Sequence, residues 1–322
     1  MKTKIVYALT SSENDFYLEQ SWVSAYSAKR MVPDSRIVLV VDRDTDKTIN
    51  GSRRGILDLI DEKIVVETPE QYNKVQTSRF LKTNLRKYVD GDYIFIDSDT
   101  IITDSLEEID LFDMDMGAVL NLHVPLELHT KKDEVKVRNR ICLTGYHIDA
   151  NIPYFNSGVL FVRDNDITRT FYEKWHSRWK FGLEKSNLTK DQPAMAAANA
   201  EMGYLIKEIE GEWNCQVICN GLPYLVNSKI IHYFAGFTQN KNDKPYLFLD
   251  KSIYDVIKKE GLIPEFVVAL IENAKGAFKQ PCQVVVGDDL NILSSSLHTL
   301  AIKHTKIYNF LEMMAKIMTR IR

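Results

Sequence analysis

Asp97 and Asp99 stand one residue apart where the apolar run Ile94-Phe95-Ile96 ends. Two adjacent charges at the edge of an apolar layer repel each other unless something positive lies between them. A divalent cation holding a phosphate is the simplest such partner. A solvated turn after a strand is the alternative, and on Asp-x-Asp alone the two readings are even. The run is short, β-branched and aromatic, so it reads as a buried strand. Asp104-Ser105 signals a turn beyond it and places the pair at the carboxyl end. In open α/β sheets that end is where ligands bind.

The elements around the pair alternate. Residues 5–9 and 37–41 read as strands, with a helix over 14–30 between them that Pro33-Asp34 ends. A helix over 55–61, a strand over 63–67 and a helix over 76–88 lead to the strand with the two aspartates. Strand, helix, strand, repeated, argues for a parallel sheet with helices on its faces. Residues 118–122 form a further strand. Residues 123–150 are polar, mixed in sign and weakly periodic, and are expected as a long irregular excursion of the lid or binding-loop kind. A strand over 154–162 starts with Asn156-Ser157-Gly158. Helices over 168–181 and 191–202 and a strand over 230–234 follow. Phe171, Trp175 and Trp179 share one side of the first helix and read as core. From about residue 249 the character changes: helices over 252–260 and 264–278, a short strand over 283–286, and one basic amphipathic helix over 297–322.

Composition bounds the partners. Of 322 residues, 45% are hydrophobic and 26% charged, which suits a chain with a large core. The net charge of -3, from 41 basic and 44 acidic residues, argues against a nucleic-acid role. Cys142, Cys215, Cys219 and Cys282 are spread out and lack the second pair of a zinc site, so free thiols are expected. No leader-like apolar region opens the chain and no run is long enough to span a bilayer. The expected location is cytoplasmic, with peripheral contact at the inner face of the cell membrane as its variant.

Four short motifs occur in order: Asp97-Ser98-Asp99, Asn156-Ser157-Gly158-Val159, Asp191-Gln192 and His232-Tyr233-Phe234-Ala235-Gly236. With the opening Val6-Tyr-Ala-Leu-Thr-Ser11, the Ser78-Arg79-Phe80 segment and Trp213-Asn214, the chain resembles the family 8 glycosyltransferases over about residues 3–250. The resemblance implies an α/β GT-A (nucleotide-diphospho-sugar transferase) fold, its mostly parallel central sheet flanked by helices. Residues 1–250 would be the catalytic domain, and 251–322 a mainly helical C-terminal extension. It also implies retaining transfer of a hexose, galactose or glucose, from a UDP-sugar to a saccharide acceptor, a lipid-linked or cell-surface glycan. Mn²⁺, with Mg²⁺ as a substitute, would be the cofactor.

Under that resemblance Asp97, Asp99 and His232 hold the metal, a hard-oxygen set with one imidazole that suits manganese. A core histidine is the alternative for His232. Thr10 and Ser11 would lie against uracil and ribose, or cap the following helix. Asp42 is either near the base or a turn aspartate. Ser98 and Gly236 join the nucleotide set. Arg79 would hold an aspartate or a sugar-phosphate oxygen, or be a solvated helix charge. Lys244, in Lys244-Pro245-Tyr246, would reach the phosphates. It comes later than the family's lysine, with Lys241 intervening, and a solvated loop is its alternative. Asn156 would bond the donor sugar, with its small neighbours letting the sugar approach the backbone, or serve a turn. Asp191 would bind donor hydroxyls or cap its helix. Gln192 would sit under the anomeric carbon. His147 and Asp149 line the sugar pocket or are solvated. Trp213-Asn214 would pack and pin a loop.

In the last helix Leu300, Ile307, Leu311, Met314, Met318 and Ile321 form a seam, with Lys303, Lys306, Lys316, Arg320 and Arg322 opposed only by Glu312. Contact with an anionic membrane through residues 297–322 is favoured. Packing on its own domain and a seam between two subunits are the alternatives. Outside this class, a haloacid-dehalogenase-type phosphatase also ends a strand in Asp-x-Asp, and Val284–Asp289 resembles its late acidic motif. That reading leaves Asn156, Asp191-Gln192 and His232 unexplained. A non-catalytic nucleotide-sugar binding protein on the same scaffold is the last alternative.

Overall fold

The computed structural model describes residues 1–147, 152–236, 245–279 and 288–319. In chain order the strands are β1 (Lys4–Leu9), β2 (Ile37–Asp42), β3 (Glu62–Val66), β4 (Tyr93–Ile96), β5 (Thr100–Ile102), β6 (Met116–Leu120), β7 (Phe155–Val162), β8 (Ile206–Glu208), β9 (Cys215–Gln216) and β10 (Ile230–His232). The helices are α1 (Tyr17–Met31), α2 (Arg43–Thr48), α3 (Lys74–Thr83), α4 (Leu85–Tyr88), α5 (Lys131–Cys142), α6 (Asp166–Ser186), α7 (Gln192–Glu201), α8 (Lys251–Glu260), α9 (Glu265–Glu272), α10 (Asp288–Leu293), α11 (Ser296–Lys303) and α12 (Thr305–Thr319). Residues 51–59 form a 3₁₀ stretch where the pattern predicts a helix.

Seven strands form one sheet in the order β3-β2-β1-β4-β7-β6-β8. The pairs β1–β2, β2–β3, β1–β4 and β6–β8 are parallel, while β7 runs antiparallel to β4 and β6. Both faces of the sheet are covered. Ile37 to Asp42 are buried without a break, as strands between two helical layers must be. One face packs against α1 and extends to Ile253, Tyr254, Ile257, Val267 and Ile271 of α8 and α9. The other packs against α3, α6 and α7. Phe171, Trp175 and Trp179 are fully buried there, as the stripe predicts. Each such side chain removed from water contributes roughly 1.5–3 kcal/mol or more.

Two expectations need correction. The segment expected as irregular carries α5, a helix of 12 residues capped by Thr130, whose hydroxyl oxygen accepts from Asp133 N–H at 3.3 Å. Its pattern is weak because only Val137 and Ile141 are buried. The single C-terminal helix is two, α11 and α12, broken at His304. Neither contains a buried residue, and Ile307, Phe310, Leu311, Met314 and Met318 are exposed. The strand expected over 283–286 and the basic pair Arg320 and Arg322 lie outside the described residues. No described helix is long and apolar enough to cross a membrane.

The turn after β1 is anchored by a buried ion pair. Arg53 Nε lies 2.7 Å from Glu19 Oε1, and both side chains are almost wholly enclosed. A second guanidinium nitrogen donates to Ser11 Oγ at 2.9 Å. Burial raises the Glu19 pKa, and Arg53 opposes the shift. Removing one partner of such a pair leaves an uncompensated charge. Arg53→Met is expected to lower unfolding free energy by about 3 kcal/mol at pH 7, measured by urea denaturation. The deficit should shrink as pH falls toward the raised Glu19 pKa, because without Arg53 the carboxyl takes up its proton at higher pH and the protonated group no longer needs the partner. A loss under about 1 kcal/mol, or one independent of pH, would contradict this account.

Candidate active site

Because β1 to β4 are parallel, Thr10, Asp42 and Asp97 leave the sheet at one edge. β7 is antiparallel, so its first residues return to that same edge. The register Ile96↔Val159 sets Gly158 beside Asp97, and Asp97 N–H donates to the Gly158 carbonyl at 2.7 Å. The chain then leaves the large sheet. Asp97-Ser98-Asp99 bridges to β5, which belongs to a second sheet ordered β5-β10-β9. β10 pairs antiparallel with β5, with His232 opposite Thr100. Residues more than a hundred positions apart thereby meet. His232 Nε2 lies 3.3 Å from Asp99 Oδ1. Ligand atoms of Asp97, Asp99 and His232 all fall within 4.8 Å of one another, the one such cluster among the described residues.

A chain of amides decides which imidazole nitrogen faces the carboxylates. Gly158 N–H donates to Asn156 Oδ1 at 2.9 Å. A backbone N–H can only donate, so it fixes the Asn156 amide. Asn214 Nδ2 donates to the same oxygen at 3.0 Å, which turns Asn214 Oδ1 toward His232 Nδ1 at 3.1 Å. Nδ1 therefore carries a proton, and Nε2 is the nitrogen that faces Asp99. Second partners commonly orient metal-binding histidines in this way. The donor set, two carboxylates and one oriented imidazole, fits a divalent cation. Gly158 makes room for it: a Cβ there would sit 2.4 Å from His232 Cε1 and 2.8 Å from Asp97 Oδ2. The missing side chain leaves room for the imidazole and the carboxylate.

The cleft in front of these residues has a volume of about 410 Å³. Thr10, Arg79, Asp97, Ser98, Asp99, Asp191, Gln192, His232 and Gly236 line it. Thr10 Oγ1 is buried and has no hydrogen-bond partner among the described residues. Asp191 occupies the cap position of α7, yet its side chain makes no capping bond. Its carboxylate instead meets Arg79 Nε at 2.9 Å and Lys82 Nζ at 3.5 Å, and accepts from Ser157 Oγ at 3.0 Å. Burial would raise its pKa, but Lys82 and Arg79 outweigh burial and hold it far below the usual carboxylate range. Asp97 behaves differently: desolvation raises its pKa, with Lys82 opposing and Asp99 adding to the rise. For Asp99, desolvation is outweighed by His232 and by the Ala235 N–H at 2.8 Å, so its pKa falls.

Three expected residues stand apart from the cleft. Asn156 is buried behind its wall, with its nitrogen on Asn121 Oδ1 at 3.3 Å. Asp42 caps α2 and accepts from Thr45 Oγ1 at 2.5 Å. Ser11 donates to Asp15 Oδ1 at 2.6 Å while accepting from Arg53. His147 is exposed and does not line the cavity. Lys241, Lys244 and Asp149 lie outside the described residues.

Four further residues complete the site. Lys82, nearly fully buried, reaches Asp97 at 3.2 Å as well as Asp191. Asn121 Oδ1 accepts from both Asn156 and Gln192 Nε2, the latter at 3.0 Å. Asn214 orients His232, and Lys190 lines the wall beside Asp191. Lys82 was legible in part: Lys74, Ser78 and Lys82 recur every fourth residue on one face of α3. No local pattern marks Asn121. The adjoining Leu122 and His123 have φ of 60° and 58°, a backbone state costly for such residues and characteristic of functional sites.

Two substitutions test the geometry. Gly158→Ala and Asn214→Leu should each weaken Mn²⁺ binding roughly 10- to 100-fold, read from the electron paramagnetic resonance of the free ion, with circular dichroism unchanged. Wild-type affinity in Asn214→Leu would refute the role given to the amide chain.

The model for glycosyl transferase family 8 matches residues 12–247. No curated protein sequence matches the chain. Among solved structures, the galactosyltransferase LgtC in complex with donor and acceptor sugar analogs is 17% identical, with 83% of this chain and 99% of that chain covered and a TM-score of 0.49. Mouse xyloside xylosyltransferase 1 in its apo form is 13% identical, covering 72% and 97%, with a TM-score of 0.48. The glycosyltransferase GlyE of Streptococcus pneumoniae TIGR4 is 15% identical, covering 88% and 67%, with a TM-score of 0.47. The family match spans most of the chain and displaces the phosphatase alternative. The protein is a glycosyltransferase and belongs to glycosyl transferase family 8.

Proposed function

We propose that the protein transfers a hexose, galactose or glucose, from a UDP-sugar to a saccharide acceptor with retention of anomeric configuration. The observation that carries this reading is the convergence of Asp97, Asp99 and His232 within 4.8 Å at the cleft floor. These three residues would hold Mn²⁺, or Mg²⁺ in its place. A bound divalent cation would neutralise charge developing on the leaving diphosphate. Thr10 and Ser98 would meet the nucleotide, and the unpartnered Thr10 hydroxyl favours a ligand there. Residues 1–250 would form the catalytic part, with 251–322 as its extension.

The chain's own side chains would then work as follows. Arg79 and Lys82 keep Asp191 ionised, so its oxygens can accept from donor hydroxyls. Gln192 has its nitrogen on Asn121, and its carbonyl oxygen is the end able to stabilise positive charge at the anomeric carbon. A carboxamide is a poor nucleophile, which favours departure and attack on one face. The bond from the anomeric carbon to phosphate oxygen breaks and one to the acceptor hydroxyl forms. The hydroxyl proton passes to the leaving phosphate, so no protein base is required.

UDP and Mn²⁺ together should raise the melting temperature more than the two separate shifts combined, and Asp99→Asn should remove that synergy. Additive shifts in the wild type would count against the reading. Chelation by EDTA should abolish hydrolysis of UDP-hexoses.

The exposed apolar residues of α11 and α12, beside Lys303, Lys306 and Lys316, favour peripheral attachment to an anionic membrane surface. That location would suit a lipid-linked acceptor. Full-length protein should float with anionic liposomes while a chain ending at Ser296 should not. Equal flotation would reject membrane attachment, and a halved mass for the shorter chain would favour the subunit seam.

A further inference from the structure

We infer that Lys190 on the cleft wall, with Arg140 and Lys136 of the adjoining helix α5, binds an anionic group, a phosphate or a carboxylate, carried by the acceptor saccharide. This rests on the transferase reading above, which puts the diphosphate at the Asp97–Asp99–His232 end and the donor sugar near Asp191 and Gln192. Lys190 precedes Asp191 and lines the cavity. α5 lies along α7, with Val137 and Ile141 packed in one buried cluster with Ala196 and Ala197. A spacing of four places Lys132, Lys136 and Arg140 on one α5 face. Lys136 is exposed and Arg140 half-buried.

Arg140 acts on two groups near the start of α7, Tyr154 and Lys190. Its charge opposes the rise that burial imposes on the Tyr154 hydroxyl, a neighbour of Gln192. Burial, then Arg79, Arg140 and Lys136, depress the Lys190 pKa, against a single opposing carboxylate, Asp191. Among the described residues no carboxylate forms an ion pair with Lys136, Arg140 or Lys190. Arg138 on the same helix does pair, with Glu134 at 3.0 Å.

Charge balance favours the acceptor over the donor as the source of the anion. Arg79 and Lys82 offset two of the three cleft aspartates. A divalent cation and a diphosphate would offset each other. Lys190 cancels the remaining aspartate, and among the described residues Arg140 and Lys136 stay in surplus on α5, beside the start of α7. An acceptor approaching from that side would bring the balancing charge, and charge-assisted bonds to these groups would orient it.

The test is calorimetric titration of full-length protein saturated with UDP and Mn²⁺. The probes are a methyl hexoside, its 6-phosphate and the matching methyl hexuronide. A charged probe is expected to bind about tenfold or more tightly than the neutral one. The advantage should shrink with added salt and vanish in Lys136→Gln/Arg140→Gln, whose affinity for UDP with Mn²⁺ stays unchanged. A preference for the phosphate or for the uronide identifies the source of the anion. Equal binding of the three probes, or an undiminished preference in the variant, overturns the inference. Failure of UDP with Mn²⁺ to bind overturns the transferase reading and this inference with it. Normal UDP and Mn²⁺ binding without a charge preference overturns this inference alone.

Discussion

Lys82 stands between Asp97 and Asp191, and the site depends on that position. Three carboxylates gather at the edge of an apolar sheet, where unpaired anions are costly. A buried ammonium 3.2 Å from one and 3.5 Å from another lets both remain charged. Arg79 reinforces it on the Asp191 side and His232 on the Asp99 side. The three acids consequently differ. Asp191 is held far below the usual carboxylate range by Lys82 and Arg79, while desolvation raises the Asp97 pKa and leaves it the weakest hold on its charge. An incoming cation would meet its least compensated partner at Asp97.

The two sheets meet at this point for a geometric reason. A strand that continued past Ile96 would carry Asp97 and Asp99 along one layer, facing the same side. The chain instead changes sheets between them, so that β5 can pair with β10 and bring the imidazole alongside. The large sheet supplies Asp97 and Gly158, and the small one supplies His232. Asn214, next to β9, locks the histidine to an amide chain that starts at a β7 backbone N–H. The same chain reaches Gln192 through Asn121. One hydrogen-bonded chain of amides thus runs from His232 to Gln192.

Several candidate residues carry structural hydrogen bonds in this fold. Ser11 and Asp42 spend their hydrogen bonds on a capped turn held by Arg53 and Thr45. Cys215 and Cys219 are buried, which pushes both thiols up to about 12 and leaves them inert. Asp191 is the reverse case. Its place at a helix start suggests a cap, yet its carboxylate turns inward to two cations. Cap position predicts backbone geometry, whereas side-chain direction follows the nearest charge.

Read alone, the chain already determined the alternating strands and helices, the buried Phe171–Trp175–Trp179 stripe, and the Asp97–Asp99 pair at a strand's carboxyl end. These follow from periods of two and 3.6 residues and from local residue chemistry, which short windows carry. The register of β7 against β4, the pairing of His232 with Thr100, the burial of Lys82 and the orientation of Asn214 belong to the tertiary structure. So do α5, whose two buried residues leave too faint a period, and the break at His304. Each depends on a partner far away in the chain, and neither hydrophobic period nor propensity encodes which distant side chain will arrive.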